Sequence, residues 1–131
     1  MENESTLWAA LLMRVSLGVM FLAHGLLKVF VFTLPGTAAF FESIGFPGWT
    51  AYVVGPAEVL AGIALIVGFK TRLVSLATLP ILVGAVIPHW ANGWLFSAPN
   101  GGREYPVFLI AAAVSVALLG SGKFAVDNKT A

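Results

Sequence analysis

Arg14, His24, Lys28, Glu58 and His89 stand within long apolar runs of this sequence, and Arg103-Glu104-Tyr105 stands at the edge of another. An ionisable side chain in the hydrocarbon of a bilayer costs about 2.5–3.5 kcal/mol on insertion scales, so each is a candidate functional group. His24 and Lys28 lie four residues apart and share one helix face. Arg14 returns to within roughly 40° of the same direction at about 100° per residue, which gives the first apolar run a cationic stripe. Glu58 is the acid set deepest in the apolar part of the chain, two residues after Pro56. Ionised, it needs a partner, and His24 or Arg14 could supply one. At a rise of about 1.5 Å per residue, Glu58 falls near a bilayer midplane and His24 about 7 Å to one side of it. Lys28, His89 and Tyr105 fall about 12–13 Å to that same side, and Arg14 about 7 Å to the other.

The chemistry this spacing suits is proton exchange beside a bound polar head. A histidine gains and loses its proton near neutral pH, so His24, Glu58 and Tyr105 form a candidate catalytic relay. Lys28 and Arg103 would hold a polar or anionic head, with Arg14, His89 and Glu104 completing the binding set. A plainer reading stays open beside it. Arg14 and Lys28 snorkel to the headgroups, His24 and Glu58 are satisfied within the protein, and His89, Trp90 and Tyr105 belong to an aromatic belt. No metal site is expected, and haem between His24 and His89 is disfavoured because their depths differ by about one helical turn. The chain has no cysteine, which removes disulfides, thiolate zinc sites, cysteine-ligated clusters and CxxC redox chemistry. It also has no GxGxxG or P-loop stretch for a nucleotide.

Helices crossing a membrane must position these groups. Of 131 residues, 59% are hydrophobic and 10% charged, against roughly 45–50% and ~25% in soluble domains. Mean hydropathy is +0.93, and a net charge of +1 leaves no basic field for nucleic acid. This composition excludes a soluble enzyme, a disordered chain and a nucleic-acid binder. Spans are expected at about residues 7–32, 49–69, 73–90 and 105–120, near the ~20 residues that one crossing takes. The fold class is therefore all-α: a membrane-spanning four-helix bundle with a short interfacial helix between spans 1 and 2.

Ser5 or Thr6 is the expected cap of the first helix. Pro35-Gly36 should end that span, and Thr37 should cap an interfacial turn or two closed by Gly45 and Pro47. Gly18 and Gly25 allow close helix approach. Pro80 and Pro88 are tolerated inside the third span, and Pro106 suits the first turn of the fourth. Asn100-Gly101-Gly102 reads as a turn. Residues 121–131 are expected to form a polar, frayed cytoplasmic tail. A cleaved signal peptide fits poorly, because the N-terminus is acidic and Arg14 interrupts the apolar run. Lys70, Arg72, Lys123 and Lys129 fall on the side shared by both termini, opposite Arg103 and Lys28, which places both termini in the cytoplasm.

Leu11-Leu12-Met13-Arg14-Val15, followed by Phe21-Leu22-Ala23-His24-Gly25 and Lys28, resembles the opening span of the DoxX family. Thr37-Ala38-Ala39-Phe40-Phe41-Glu42 with Gly45-Phe46-Pro47, Ala57-Glu58-Val59-Leu60-Ala61-Gly62, Thr71-Arg72-Leu73 and Arg103-Glu104-Tyr105-Pro106 continue the resemblance. It implies a four-helix inner-membrane protein of the DoxX/DoxD-like group. That group includes subunits associated with thiosulfate:quinone oxidoreduction and members working with redox-stress or thiol-metabolising partners. Arg14, His24, Lys28, Glu58, Arg72, Glu104 and Tyr105 fall on its motif positions, while the lack of cysteine argues against direct thiol chemistry here.

The ladder of polar groups and the resemblance together lead to a multi-pass protein of the bacterial inner (plasma) membrane. Its expected role is a redox-associated, quinone-linked oxidoreductase subunit with a quinone-like or small apolar ligand pocket toward the outer leaflet. Two alternatives stand beside it. One is a non-enzymatic anchor or scaffold for a soluble oxidoreductase, touching it through the Lys70–Arg72 turn and the tail. The other is a small-solute or proton pathway in a homo-oligomer. No cofactor is demonstrable from the sequence, quinone being the one such a pocket would admit, and whether the chain is itself an enzyme stays open. The partners expected are the lipid bilayer, a soluble oxidoreductase and further copies of the chain.

Overall fold

Asn3 starts the first helix: its carboxamide oxygen accepts the Thr6 N–H at 2.8 Å, a cap earlier than the expected Ser5 or Thr6. The computed structural model describes residues 3–95, 97 and 102–130. The turn expected at Asn100-Gly101 and the side chain of Lys129 lie outside the described residues. α1 (Glu4–Leu26) runs without a break into a π-helical turn, Leu27–Val31, where the Phe32 N–H donates to the Leu27 carbonyl at 2.8 Å.

Pro35 opens the next helix rather than only closing the first, because a residue with no N–H is well placed in a first turn. α2 (Leu34–Ser43) is capped by Thr33, not by Thr37. The Thr33 hydroxyl accepts the Gly36 N–H at 3.2 Å. The Thr37 hydroxyl instead donates to the carbonyls of Thr33 and Lys28, at 2.8 and 3.2 Å, and ties α2 back onto the π turn.

α3 (Thr50–Val67) passes through Pro56 without a break. The third apolar run is two helices, not one: α4 (Thr71–Ala77) and α5 (Leu79–Trp90) meet at Thr78. Pro80 can neither donate to the Leu76 carbonyl nor let it approach. The buried hydroxyls of Ser75 and Thr78 also take backbone carbonyls, those of Thr71 and Ser75, at 2.9 and 2.6 Å. α6 (Glu104–Leu119) holds Pro106 in its first turn as expected, and a single turn, α7 (Asp127–Thr130), follows. The described residues are thus all helix and connecting loop. Glu4–Val31, Thr50–Val67 and Thr71–Trp90 are each long and apolar enough to cross a membrane, and Glu104–Leu119 is apolar but shorter.

α1 and α3 form the tightest pair, antiparallel, with Gly18 against Gly62 and Gly25 against Gly55. A Cβ on Gly18 would stand 2.9 Å from the Gly62 carbonyl oxygen, and one on Gly25 3.0 Å from that of Gly55. The close approach expected of the two α1 glycines is therefore real, and α3 supplies two more. α6 packs on α1, α4 and α5. Leu17 and Phe21 of α1, Leu65 of α3, Leu82 of α5, and Ala112, Ala113 and Val116 of α6 make the buried core. Outside that core the helices stay apolar: Leu12, Leu60, Ile87, Phe108 and Leu118 are all exposed. Helices apolar on both faces fit surroundings of lipid.

The tail is not frayed. Ala125 is buried, and the Val126 and Asp127 N–H groups donate to the Val67 and Gly68 carbonyls at 2.9 and 3.0 Å. Lys123 pairs with Glu4 at 2.8 Å, which brings the start of α1 and the tail to one end of the molecule. We call this the terminal end, and the end holding α2 and the α5–α6 connection the loop end.

Candidate functional site

Side chains on an α-helix lean toward its N-terminus, and this directs the charged groups of α1 and α3. The α1 N-terminus lies at the terminal end, so Arg14 and Lys28 both reach that way. Lys28 is thereby carried back along α1 toward the middle of α3. Glu58, on a helix of opposite direction, leans toward the loop end to meet it. Lys28 Nζ stands 2.8 Å from Glu58 Oε1. The partner expected for Glu58 was His24 or Arg14, and the structure supplies Lys28 instead. Glu58 is buried, and its Oε1 accepts no hydrogen bond from the described residues, the lysine contact being an ion pair without hydrogen-bond geometry.

Arg14 reaches away from Glu58. Fully buried, it donates from Nη1 to the carbonyls of Leu65 and Ile66 at 2.9 and 2.7 Å. Nε and Nη2 donate to the carbonyls of Ser121 and Lys123, each at 2.7 Å. These carbonyls lie at the end of α3, where the helix runs out of its own donors, and in the turn after α6. Arg14 is neither snorkelling nor in the cluster around Glu58.

A cavity of about 500 Å³ lies at the loop end and brings five of the sequence-predicted residues together. Its wall carries His24 from α1, Lys28 from the π turn that continues it, Glu58 from α3, His89 from α5 and Tyr105 from α6. Phe40 and Phe41 of α2 and the following Ile44 also line it, and toward the terminal end it reaches Leu17, Phe21 and Leu82. His24 Nδ1 lies 2.8 Å from the Met20 carbonyl oxygen, and His89 Nδ1 2.6 Å from that of Ala85. A carbonyl only accepts, so each Nδ1 carries the proton and Nε2 is the nitrogen left for a ligand. The Tyr105 and His24 rings lie 6.0 Å apart, and the tyrosine hydroxyl has the Met20 sulfur at 3.6 Å, a weak acceptor.

Arg103 is placed beside this cavity rather than in its wall. Its guanidinium stacks on Trp90 at 4.2 Å and donates to the Trp90 carbonyl at 2.8 Å. Glu104 lines an adjoining hollow of about 510 Å³ that shares His89, Tyr105 and Pro106 with the main cavity. Among the described residues no three of histidine, aspartate and glutamate gather as metal ligands.

Sequence reasoning missed the wall that α5 provides. Pro80, Gly84 and Pro88 recur every four residues and all line the cavity. Their spacing, one helix face with little side-chain bulk, was the available signal. The phenylalanines of α2 were read as interfacial, and their place over the cavity follows from the Thr37–Lys28 contact, which links residues on two elements.

The chain is 35% identical over 126 residues to a Bacillus subtilis (strain 168) protein named "Putative oxidoreductase CatD", a match covering 95% of this chain and 89% of that protein. No solved structure matches it. The DoxX family model matches residues 9–96, a stretch that holds Arg14, Lys28, Glu58 and both histidines, so the protein with this paired charge and apolar cavity belongs to the DoxX family.

Proposed function

We propose that this chain is a four-helix protein of a bacterial inner membrane, with both termini cytoplasmic, whose cavity binds a quinone-like or other small apolar ligand from the outer leaflet in a redox role. The observation that carries this reading is the convergence of His24, Lys28, Glu58, His89 and Tyr105 on one cavity from four apolar segments. Its oxidoreductase character is supported by the name of the Bacillus relative. In this reading α6 is the fourth crossing. Its 16 residues span about 24 Å, and the residues flanking it complete the ~30 Å of hydrocarbon.

The residues suit both oxidation states of such a ligand. Glu58 Oε1, buried without a hydrogen-bond donor, would accept from a ligand hydroxyl. The Tyr105 hydroxyl and Lys28 ammonium would donate to a ligand carbonyl. His24 and His89, oriented through Nδ1, would exchange protons at Nε2. A second reading, an anchor for a soluble oxidoreductase, is favoured by a hollow of about 710 Å³ at the terminal end bounded by Lys70, Arg72 and Lys123.

Mass spectrometry of extracts from the gently purified protein separates the two. Near-stoichiometric quinone is expected, falling by about tenfold in Glu58→Gln, the scale of one hydrogen bond to a charged group. Quinone content unchanged in that variant removes Glu58 from the site. A co-purifying soluble oxidoreductase without quinone makes the chain an anchor.

A further inference from the structure

We infer that the cavity opens sideways into the bilayer, through a slot between α3 and α5, and that its ligand is an amphiphile with a ring-sized head inside and an apolar tail lying in the slot. The inference rests on the cavity being a ligand site and adds the route and the ligand class.

The slot follows from which helices pack on which. α1 packs on α3 and α6, and α6 packs on both α4 and α5. α3 packs on α4 but not along α5. The circuit of apolar segments is therefore closed at the terminal end and parted at the loop end. There Val54 and Glu58 of α3 face Ile81, Gly84, Ala85 and Pro88 of α5 across the cavity. The break at Thr78 is the physical cause: it frees α5 from the direction of α4, so α5 follows α6 and leaves α3.

The slot has room. A Cβ built on Gly84 meets no atom within 4 Å, while one on Gly18, Gly25 or Gly62 would meet backbone. Val53 and Leu60 of α3 and Val83 and Ile87 of α5 are exposed on the outer faces of the two flanking helices, which makes the surroundings lipid rather than water. α2 lies over the cavity, with Phe40, Phe41 and the following Ile44 in its lining. His24, Lys28, Glu58, His89 and Tyr105 give the cavity its polar groups, and a volume of about 500 Å³ accommodates a ring with its substituents, not a long chain as well. A tail must then leave by the gap between α3 and α5.

The test uses the full-length protein in lipid nanodiscs and two probes with the same benzoquinone ring, one with a decyl tail and one without. Gly84→Phe fills the slot from α5. Ile87→Phe adds the same ring to the lipid-facing side of the same helix. Each probe is compared between variant and wild type, so its partition into lipid cancels. Gly84 borders the cavity as well as the slot, so the readout is the difference between the probes: Gly84→Phe is expected to weaken the decyl probe about tenfold more than the tail-less probe, the scale of overfilling one position. Ile87→Phe should change neither. Gly84→Leu replaces Gly84→Phe where the larger variant does not accumulate.

Equal loss of both probes in Gly84→Phe, or loss of neither, overturns the slot while Glu58-dependent binding to wild type still stands. Wild type holding neither probe, or both probes indifferent to Glu58→Gln, overturns the ligand site and the slot with it.

Discussion

Arg14 and Lys28 are cations on one helix, spaced to share a face, and they serve different ends of the protein. Lys28 meets a carboxylate beside a cavity; Arg14 holds four backbone carbonyls of two other segments. Arg14→Met would take the guanidinium donors from all four. A buried acceptor left without its donor costs about 1–3 kcal/mol, so a clear fall in melting temperature is expected by circular dichroism in detergent. Arg14→Lys should recover only part of it, since an ammonium cannot fork toward carbonyls on both sides. A melting temperature unchanged in Arg14→Met would show that water replaces the guanidinium. That Arg14, His24, Lys28, Glu58 and His89 matter was legible as charge or imidazole in apolar sequence. Their partners were not, because helical periodicity gives a direction around an axis and says nothing of which neighbour lies there.

At the scale of helices, glycine spacing and proline position decide the arrangement. Gly18 and Gly25 on α1, and Gly55 and Gly62 on α3, repeat every seven residues and set the antiparallel register. Gly84 sits in a helix as well, but its open side faces the cavity. The two kinds of glycine should respond with opposite sign. Gly62→Val places a Cβ 2.5 Å from the Leu22 backbone nitrogen, and it should destabilise by about 1–3 kcal/mol because backbone yields little. Gly84→Ala should stabilise by about 0.5–1 kcal/mol through helix propensity alone. Thermal unfolding of the two variants side by side checks this, and a destabilised Gly84→Ala would contradict the open space. Span 1 and span 2 were legible as long apolar runs. The break at Thr78 was hidden, because a proline in an apolar run is compatible with a tolerated kink or with two separate helices, and the buried hydroxyls of Ser75 and Thr78 act only once they are packed.

Across the whole molecule, the tail closes the terminal end by capping a helix that begins elsewhere. The Asp127 carboxylate accepts the Lys70 and Thr71 N–H groups at 2.6 and 3.0 Å and the Ser121 hydroxyl at 2.5 Å. Partial burial alone would raise its pKa, but the hydrogen bonds from Ser121, Thr71 and Lys70 together outweigh that and hold it below the ordinary 3.8. Released, the carboxyl returns to the ordinary value. The stabilisation it contributes is therefore fully present above about pH 4 and declines as pH falls through the lowered value. The protection factors of the Val126 and Asp127 amides, exchange measured relative to the free-peptide rate at the same pH, should fall over that acidic range, and Asp127→Ala, losing a helix cap at about 0.5–2 kcal/mol, should be weakly protected at every pH. Protection in wild type that does not change below pH 4 would mean that Asp127 does not hold the tail.

The sequence by itself determined the all-α class, the apolar segments and the identities of the polar residues they carry, because composition and the spacing of apolar runs are properties of the chain alone. Residue types at positions such as Gly18, Gly25 and Pro106 also carried their local consequences. Only the tertiary structure decided that Lys28 rather than His24 or Arg14 meets Glu58, that Arg14 and Asp127 bind the tail, and that α5 leaves α3 to open a cavity. Those outcomes depend on the direction and register of one helix against another. The same side chain points toward a partner or away from it according to which way its helix runs, and no single segment contains that information.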